Sequence, residues 1–462
     1  MRFQRLLLAI AGITVTSLAS AQLTMSTWKP QMTPIATAEI ERVGQSSGLA
    51  DCFWLATVSP KTFNILIPDS AVMYWVAQYR LPPGATLHLR GQYPFARHMS
   101  FNSYNAGGMP VDRINDVMVQ AEGQAANPYQ AGAVRQGVKR DYLVNVVAGS
   151  DQQMKNADGL RPANTLFTES DSGVHQLWYR VYVPDHGMDS KGGVSLPAPV
   201  MTMADGQTIS GDQLCKQMVV KDAALRDIRL PTETVRQMYA IPGAGSPVHP
   251  AQNPPRWNAF FNPALSVTNV LIGTPYEGMR DKQDPTRRGG FYSTLDNTYM
   301  SAYIDNRLGQ VLVLRAKAPT TPRTYRNAVT MPAAQLRYWS ICKYRSLADT
   351  AVDACLYDEQ VPVDQQGYYT IAVSKADVRP ANASDACGVA WLDWGSAGDG
   401  IGNPSGGFLA YRHMMPSPDF YPHSLFATKK PGDEMDVLGE YFPKANYMSR
   451  ADFEKLGCRS GS

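Results

Sequence analysis

The residues that could do chemistry fall into three sets. In Trp391-Leu392-Asp393-Trp394-Gly395 a carboxylate lies among indoles. Read as a strand, alternation puts Trp391 and Asp393 on one face and Trp394 on the other. An indole beside a carboxyl raises its pKa by desolvation and can also stack a sugar ring. That pairing suits a general acid; a buried tryptophan beside a surface aspartate is the competing reading. The second set is Gly289-Gly290-Phe291-Tyr292-Ser293-Thr294-Leu295-Asp296-Asn297, which combines glycines, two aromatics and a polar cluster midway along the chain. Pockets favour domain interfaces, so Tyr292 and Asp296 are candidates there. A plain strand entry with Asp296-Asn297 as its turn reads equally well. The third set is the arginines Arg97, Arg180, Arg337 and Arg412, the last preceded by Tyr411. Guanidinium groups kept twice suggest bidentate pairing with a carboxylate. That carboxylate belongs to a ligand in one reading. In the other it is internal, with Asp112 and Asp364 as natural partners.

Other chemistries find little support. There is no G-x-S-x-G elbow, H-E-x-x-H, P-loop, C-x-x-C or haem-type C-x-x-C-H sequence. The seven histidines show no i, i+2 or i, i+4 spacing, so no metal site is expected. Asp185-His186 could orient a base but is also common turn chemistry. Gly398-Asp399-Gly400-Ile401-Gly402 opens no helix and reads as a hairpin loop. Nothing implies a cofactor.

The elements that must position these residues occur twice. Leu89-Arg90-Gly91-Gln92-Tyr93-Pro94 is echoed by Leu314-Arg315-Ala316-Lys317-Ala318-Pro319, and Arg97-His98-Met99-Ser100 with Tyr104 by Arg337-Tyr338-Trp339-Ser340 with Tyr344. Pro110-Val111-Asp112 is echoed by Pro362-Val363-Asp364, and Tyr179-Arg180 with Pro184 by Tyr411-Arg412 with Pro416. The shared order points to two copies of one fold. Strands are expected over Met73–Tyr79, Thr86–Arg90, Met99–Tyr104, Tyr142–Val147 and Leu177–Val183. In the second copy they are expected over Val311–Arg315, Tyr338–Tyr344, Tyr368–Val373 and Phe408–Met414. Such strands, punctuated by Gly, Pro and Asn, predict a mainly β protein of two tandem antiparallel β-sandwich (jelly-roll-like) domains related by internal duplication. The capping-box spacing of Ser210 with Gln213, Thr234 with Gln237 and Ser449 with Asp452 predicts short helices. The expected layout is a signal peptide over 1–21, a first sandwich over 50–220, a Pro/Gly-rich inter-domain segment over 221–288 and a second sandwich over 289–462.

Arg2 and Arg5, the apolar run Leu6 to Leu18 and Ala19-Ser20-Ala21 have the pattern of an export signal. The mature chain is therefore expected from near Gln22, in the periplasm or the medium, without a transmembrane segment. A net charge of +3 with 18% charged residues creates no basic field and argues against a nucleic-acid partner. Six cysteines in an exported chain favour disulfides. Among the fifteen pairings six cysteines allow, the expected set is Cys52–Cys215, Cys342–Cys355 and Cys387–Cys458.

The Arg-x-x-Ser-x-x-x-Tyr strand and Gly192-Gly193-Val194-Ser195-Leu196-Pro197 after Tyr179-Arg180 resemble exported bacterial proteins that carry an uncharacterised β-sandwich "domain of unknown function". The resemblance covers roughly Cys52 to Cys458. It implies a tandem jelly-roll-like fold and transfers no catalytic role to any residue.

Three functional readings follow. In the first, Trp391, Tyr292, Tyr411, Arg97, Arg180, Arg337 and Arg412 line a groove between the sandwiches and bind a small-molecule, lipid or glycan ligand. In the second, the protein is a glycan- or ester-directed hydrolase using two carboxylates, Asp393 with Asp296 or Asp364. In the third it is a structural protein of the envelope. Oligomeric state does not follow from the sequence.

Overall fold

Short runs of β-branched and aromatic residues, bounded by Gly, Pro and Asn, fold as strands because each presents one face to a core. A computed structural model describes residues 35–46, 49, 52–149, 161–169, 173–221, 225–241, 248–271, 286–287 and 289–458; the expected signal over 1–21 lies outside them. The first half contains β1 (Ala56–Val58), β2 (Val72–Arg80), β3 (Thr86–Gln92), β4 (Ala96–Tyr104), β5 (Pro110–Asn115), β6 (Asp141–Ala148), β7 (Thr165–Thr168), β8 (Val174–Pro184), β9 (Ala198–Thr202) and β10 (Thr208–Ser210). The second contains β11 (Asn258–Ala259), β12 (Asn297–Asp305), β13 (Val311–Lys317), β14 (Leu336–Tyr344), β15 (Val352–Tyr357), β16 (Tyr368–Ser374), β17 (Ala390–Asp393), β18 (Gly406–Pro416) and β19 (Lys444–Met448). Every strand expected from the sequence lies inside one of these. The α-helices are short: α1 (Thr37–Ser46), α2 (Gly211–Met218), α3 (Thr232–Ala240), α4 (Pro263–Thr268), α5 (Glu434–Leu438) and α6 (Arg450–Lys455).

Each half is a sandwich of two sheets. The first pairs β1-β2-β8-β4-β5 with β10-β9-β3-β6-β7; the second pairs β11-β12-β18-β14-β15 with β17-β16-β13-β19. The duplication is therefore visible strand by strand, with β2, β4, β8 and β5 matched by β12, β14, β18 and β15. Both sandwiches depart from a purely antiparallel pattern at the same place, since β6–β7 and β16–β17 are parallel. Each has its own core, built on residues such as Leu87, Phe101, Tyr142 and Tyr179 in the first and Leu314, Ile341, Tyr369 and Tyr411 in the second. A third cluster joins the halves, bringing Tyr104, Trp178 and Tyr182 against Tyr292, Tyr338 and Met414. The two halves belong to one compact unit. The stretch expected between the copies itself contributes α3, β11 and α4, and β11 pairs with β12.

The cysteines pair as Cys52–Cys215, Cys342–Cys355 and Cys387–Cys458. Cys342 and Cys355 lie directly opposite each other on β14 and β15.

Several local expectations are corrected. Helix α2 begins after Ser210 as expected, but the Ser210 side chain makes no capping bond. Helix α3 begins at Thr232 behind Pro231, three residues before the Thr234 spacing suggests. Proline already holds a helix-compatible φ and needs no N–H at a helix start. Ser449 does cap α6, accepting from the Asp452 N–H. Gly398 to Gly402 lies between β17 and β18, which belong to different sheets, so it is a crossover loop and not a hairpin. The Pro-Val-Asp echo is false: Pro110 opens β5, whereas Pro362 follows β15, the strand equivalent to β5. Among the described residues no helix is long and apolar enough to cross a membrane.

Candidate functional site

The repeated arginines sit on the two sheets that face each other across the halves. Strand register aligns them: Ser100 lies opposite Arg180 across β4–β8, and Ser340 opposite Arg412 across β14–β18. Alternation then sends Arg180 and Arg412 away from their own sandwich cores and toward the opposite half. Arg412 Nη2 donates to the Ile67 carbonyl (3.0 Å) and Arg412 Nη1 to Asp69 (3.0 Å), both residues of the first half. Arg180 repeats the contact in reverse, donating to the Tyr292 carbonyl of the second half and to the Tyr104 hydroxyl. Ile67 and Tyr292 are equivalent positions, and both adopt left-handed backbone, with φ of 56° and 54°. Tyr344 donates to the Pro68 carbonyl at 2.8 Å and Tyr104 to the Ser293 carbonyl at 2.9 Å, again in register. Each half thus extends an arm that the other half holds.

Arg97 and Arg337 form a second crossed pair. Arg97 is fully buried; its Nη1 donates to both oxygens of Asp358 (2.7 and 2.8 Å) and its Nη2 to Glu359. Burial works against its charge, but Asp358 and Glu359 outweigh that and hold the guanidinium above its ordinary value. The counterpart Arg337 approaches Asp116 at 3.8 Å and donates to the Tyr129 carbonyl (3.2 Å). Asp116 and Asp358 are themselves equivalent. Each accepts a backbone N–H from its own half, Met99 at 3.1 Å and Trp339 at 3.3 Å, and receives the arginine of the other. The expected internal partners, Asp112 and Asp364, are corrected: Asp112 pairs with Arg161 and Asp364 with Arg315. Both lie beyond reach because the arginines cross to the opposite half.

Where the second copy has Tyr338, the first has His98. Its Nδ1 lies 2.7 Å from Asp116 and its Nε2 3.8 Å from Asp296. Burial works against the Asp116 charge, yet His98, Arg337 and the Met99 N–H hold its carboxyl below the usual range. Asp296 is buried and also meets Arg113 Nε and Asn115 Nδ2, each at 2.7 Å. Contacts therefore run without a break from Tyr325 through Glu359, Arg97, Arg337, Asp116, His98 and Asp296 to Arg113. Two of these links use backbone groups, the Tyr325 N–H and the Arg97 carbonyl; Tyr325 is 39% exposed and the Arg113 side chain 25% exposed, so the run of contacts is open at both ends.

The remaining candidates are placed as follows. Tyr292 stacks on Trp178 (4.8 Å), and burial pushes its phenol up to about 12. Tyr411 is buried in the second core, stacked edge-on against Trp339 and His413. Trp391 and Asp393 lie on β17, at the edge of the outer sheet and not in the junction with the arginines. Their alternation is as read, both half-buried while Trp394 is fully buried. The Arg379 guanidinium covers the Trp391 ring at 4.4 Å, and Asp393 Oδ1 accepts from the Gly395 N–H. Asp185 accepts from Arg135 at 2.6 Å.

Sequence reasoning missed Asp69, Asp116, Asp358 and Glu359. The signal available was Ile114-Asn115-Asp116 against Leu356-Tyr357-Asp358, an apolar-x-Asp echo weaker than the false one. Among the described residues one group has metal-type donors, Asp69 with Cys342 and Cys355, but the two sulfurs are bonded to each other. A cavity of about 240 Å³ lies away from all these candidates, between α1 and Trp54, with Glu41 and Lys221 at its mouth.

No family model and no curated protein matches the chain. Two solved structures are similar along most of its length. One is a protein of Burkholderia cenocepacia described only as uncharacterized, 12% identical, with a TM-score of 0.42, covering 88% of this chain and 94% of its own. The other is the VPA0106 protein of Vibrio parahaemolyticus, 10% identical, with a TM-score of 0.36, covering 89% of this chain and 95% of its own.

Proposed function

We propose that this is an exported protein that binds a small polar-aromatic, lipid or glycan ligand at the rim of the junction between its two sandwiches. The observation that carries this reading is the continuous run of contacts that crosses the junction through Glu359, Arg97, Arg337, Asp116, His98 and Asp296, and opens at the Tyr325 backbone N–H and at Arg113. Interior members of that run are fixed by protein partners, so the groups at the rim are held in place before a ligand arrives. Preorganisation of this kind lowers the entropic cost of binding. Three disulfides fit an exported protein.

Binding is favoured over hydrolysis by the state of the two acids. Asp296 is buried and already meets Arg113, Asn115 and His98, while Asp393 belongs to the other sheet of its sandwich.

Native mass spectrometry of the full chain with pooled glycans, esters and lipids tests the reading. A retained ligand of unchanged mass, lost in Arg113→Ala, is the expected result. Conversion to product that stops in Asp393→Asn would replace binding with hydrolysis.

A further inference from the structure

The two halves differ at one sheet edge. Strand β19 takes the place of β9: Ala198 of β9 lies opposite Arg90, and Lys444 of β19 lies opposite the echoed Arg315. In the first half the outer edge of β9 is covered by β10, with Thr208, Ile209 and Ser210 opposite Thr202, Met201 and Val200. In the second half β19 ends its sheet, and among the described residues no strand pairs with its outer edge. The Ala318 N–H donates to Gly367, toward β16. Alternation along β13 therefore turns Val311, Val313 and Arg315 toward β19. On β19 it is Ala445 and Tyr447 whose N–H and C=O groups point outward.

An edge that presents backbone donors and acceptors is a template for another strand. We infer that the outer edge of β19 receives an extended segment of a partner protein, antiparallel, with an apolar residue opposite Tyr447 and an acidic residue opposite Lys444. The first half supplies the pattern. Transferred to β19, the register of β10 sets Thr208 opposite Met448, Ile209 opposite Tyr447 and Ser210 opposite Asn446. Continued as a strand it sets Asp212 opposite Lys444, an attractive cross-strand pair. Lys444 is exposed and disfavours edge-to-edge pairing with basic or uncharged strands, which makes the edge selective. This inference does not depend on a ligand at the junction.

The probe is a synthetic peptide with the sequence of residues 206–212, Gly-Gln-Thr-Ile-Ser-Gly-Asp, added at millimolar concentration to the full chain. Hydrogen exchange at Ala445 and Tyr447 is expected to slow at least five-fold. Ala445→Pro removes an outward N–H without touching the β13 ladder, and the slowing at Tyr447 is expected to vanish in it. Should that variant unfold, Lys444→Glu serves instead: it is expected to lose the native peptide and to regain protection with a peptide carrying Asp212→Lys. No slowing with the peptide overturns the inference, as does equal slowing in Ala445→Pro. Protection that appears without peptide and grows with protein concentration also overturns it, by making a second copy of this chain the occupant.

Discussion

Ile67 and Tyr292 hold the same place in the two halves, with nearly the same left-handed φ, and each gives its carbonyl to the other half's arginine. The relationship makes each sandwich the clamp of the other. It also accounts for arginine, and not lysine, at 412: a planar fork can reach two separate groups at once, as Arg412 does with Asp69 through Nη1 and the Ile67 carbonyl through Nη2.

The Arg97–Asp358 pair should carry a large coupling energy. Removing one partner of a buried pair leaves an uncompensated charge and costs about 3–5 kcal/mol. Arg97→Met and Asp358→Asn should each fall in that range by urea denaturation, with the double variant well short of their sum. Arg337→Met, whose carboxylate partner lies 3.8 Å away, should cost only about 1 kcal/mol. Additive losses at 97 and 358 would show that the pair is not coupled.

His413 should make the fold acid-sensitive. Burial pushes its imidazole down to about 3, and its Nδ1 accepts from the Leu425 N–H, so the folded state holds it neutral. The unfolded chain takes up a proton near pH 6.5. Stability is therefore retained above that pH and lost as pH falls toward 3, by about 2 kcal/mol between pH 7 and 5. Denaturation midpoints across that window should flatten by this amount in His413→Gln. An unchanged slope would remove His413 as the cause.

The disulfides should rank by the loops they close. Cys52–Cys215 spans 163 residues and Cys342–Cys355 only 13. Loop-closure entropy assigns them about 5 and about 3 kcal/mol. Paired Cys→Ser variants compared by thermal unfolding should follow that order, and the reverse order would place the main effect in the native state.

Backbone conformation should decide the cost of glycine in the first arm. A β-branched residue in left-handed backbone is held against about 1–2 kcal/mol. Ile67→Gly relieves this while losing a half-buried side chain, so it should change stability by less than about 1 kcal/mol. Ile65→Gly, buried and without that strain, should cost about 3 kcal/mol. Equal losses at 65 and 67 would argue against strain at 67.

The sandwich architecture was legible because strand alternation and the Arg-x-x-Ser-x-x-x-Tyr repeat are local features. The cysteine pairing was legible for a related reason: each expected bridge stays within one half. What holds the halves together was not legible. Arg97 meets Asp358 and Arg412 meets Asp69, residues 261 and 343 positions away, and a repeat argument looks for partners inside each copy. Asp112 and Asp364 are the answers that such reasoning returns. The junction also hides where the copies diverge, since His98 against Tyr338 becomes meaningful only beside Asp116 and Asp296.

The crossed arms set an order of events during synthesis. The arm at Ile67 to Asp69 is made early, but its clamp, Arg412, belongs to one of the last strands. Until β18 has emerged the first sandwich lacks part of its own support, and contacts of such long sequence separation form slowly. A chain made from its N-terminus thus becomes fully self-supporting only when nearly all of it has been released.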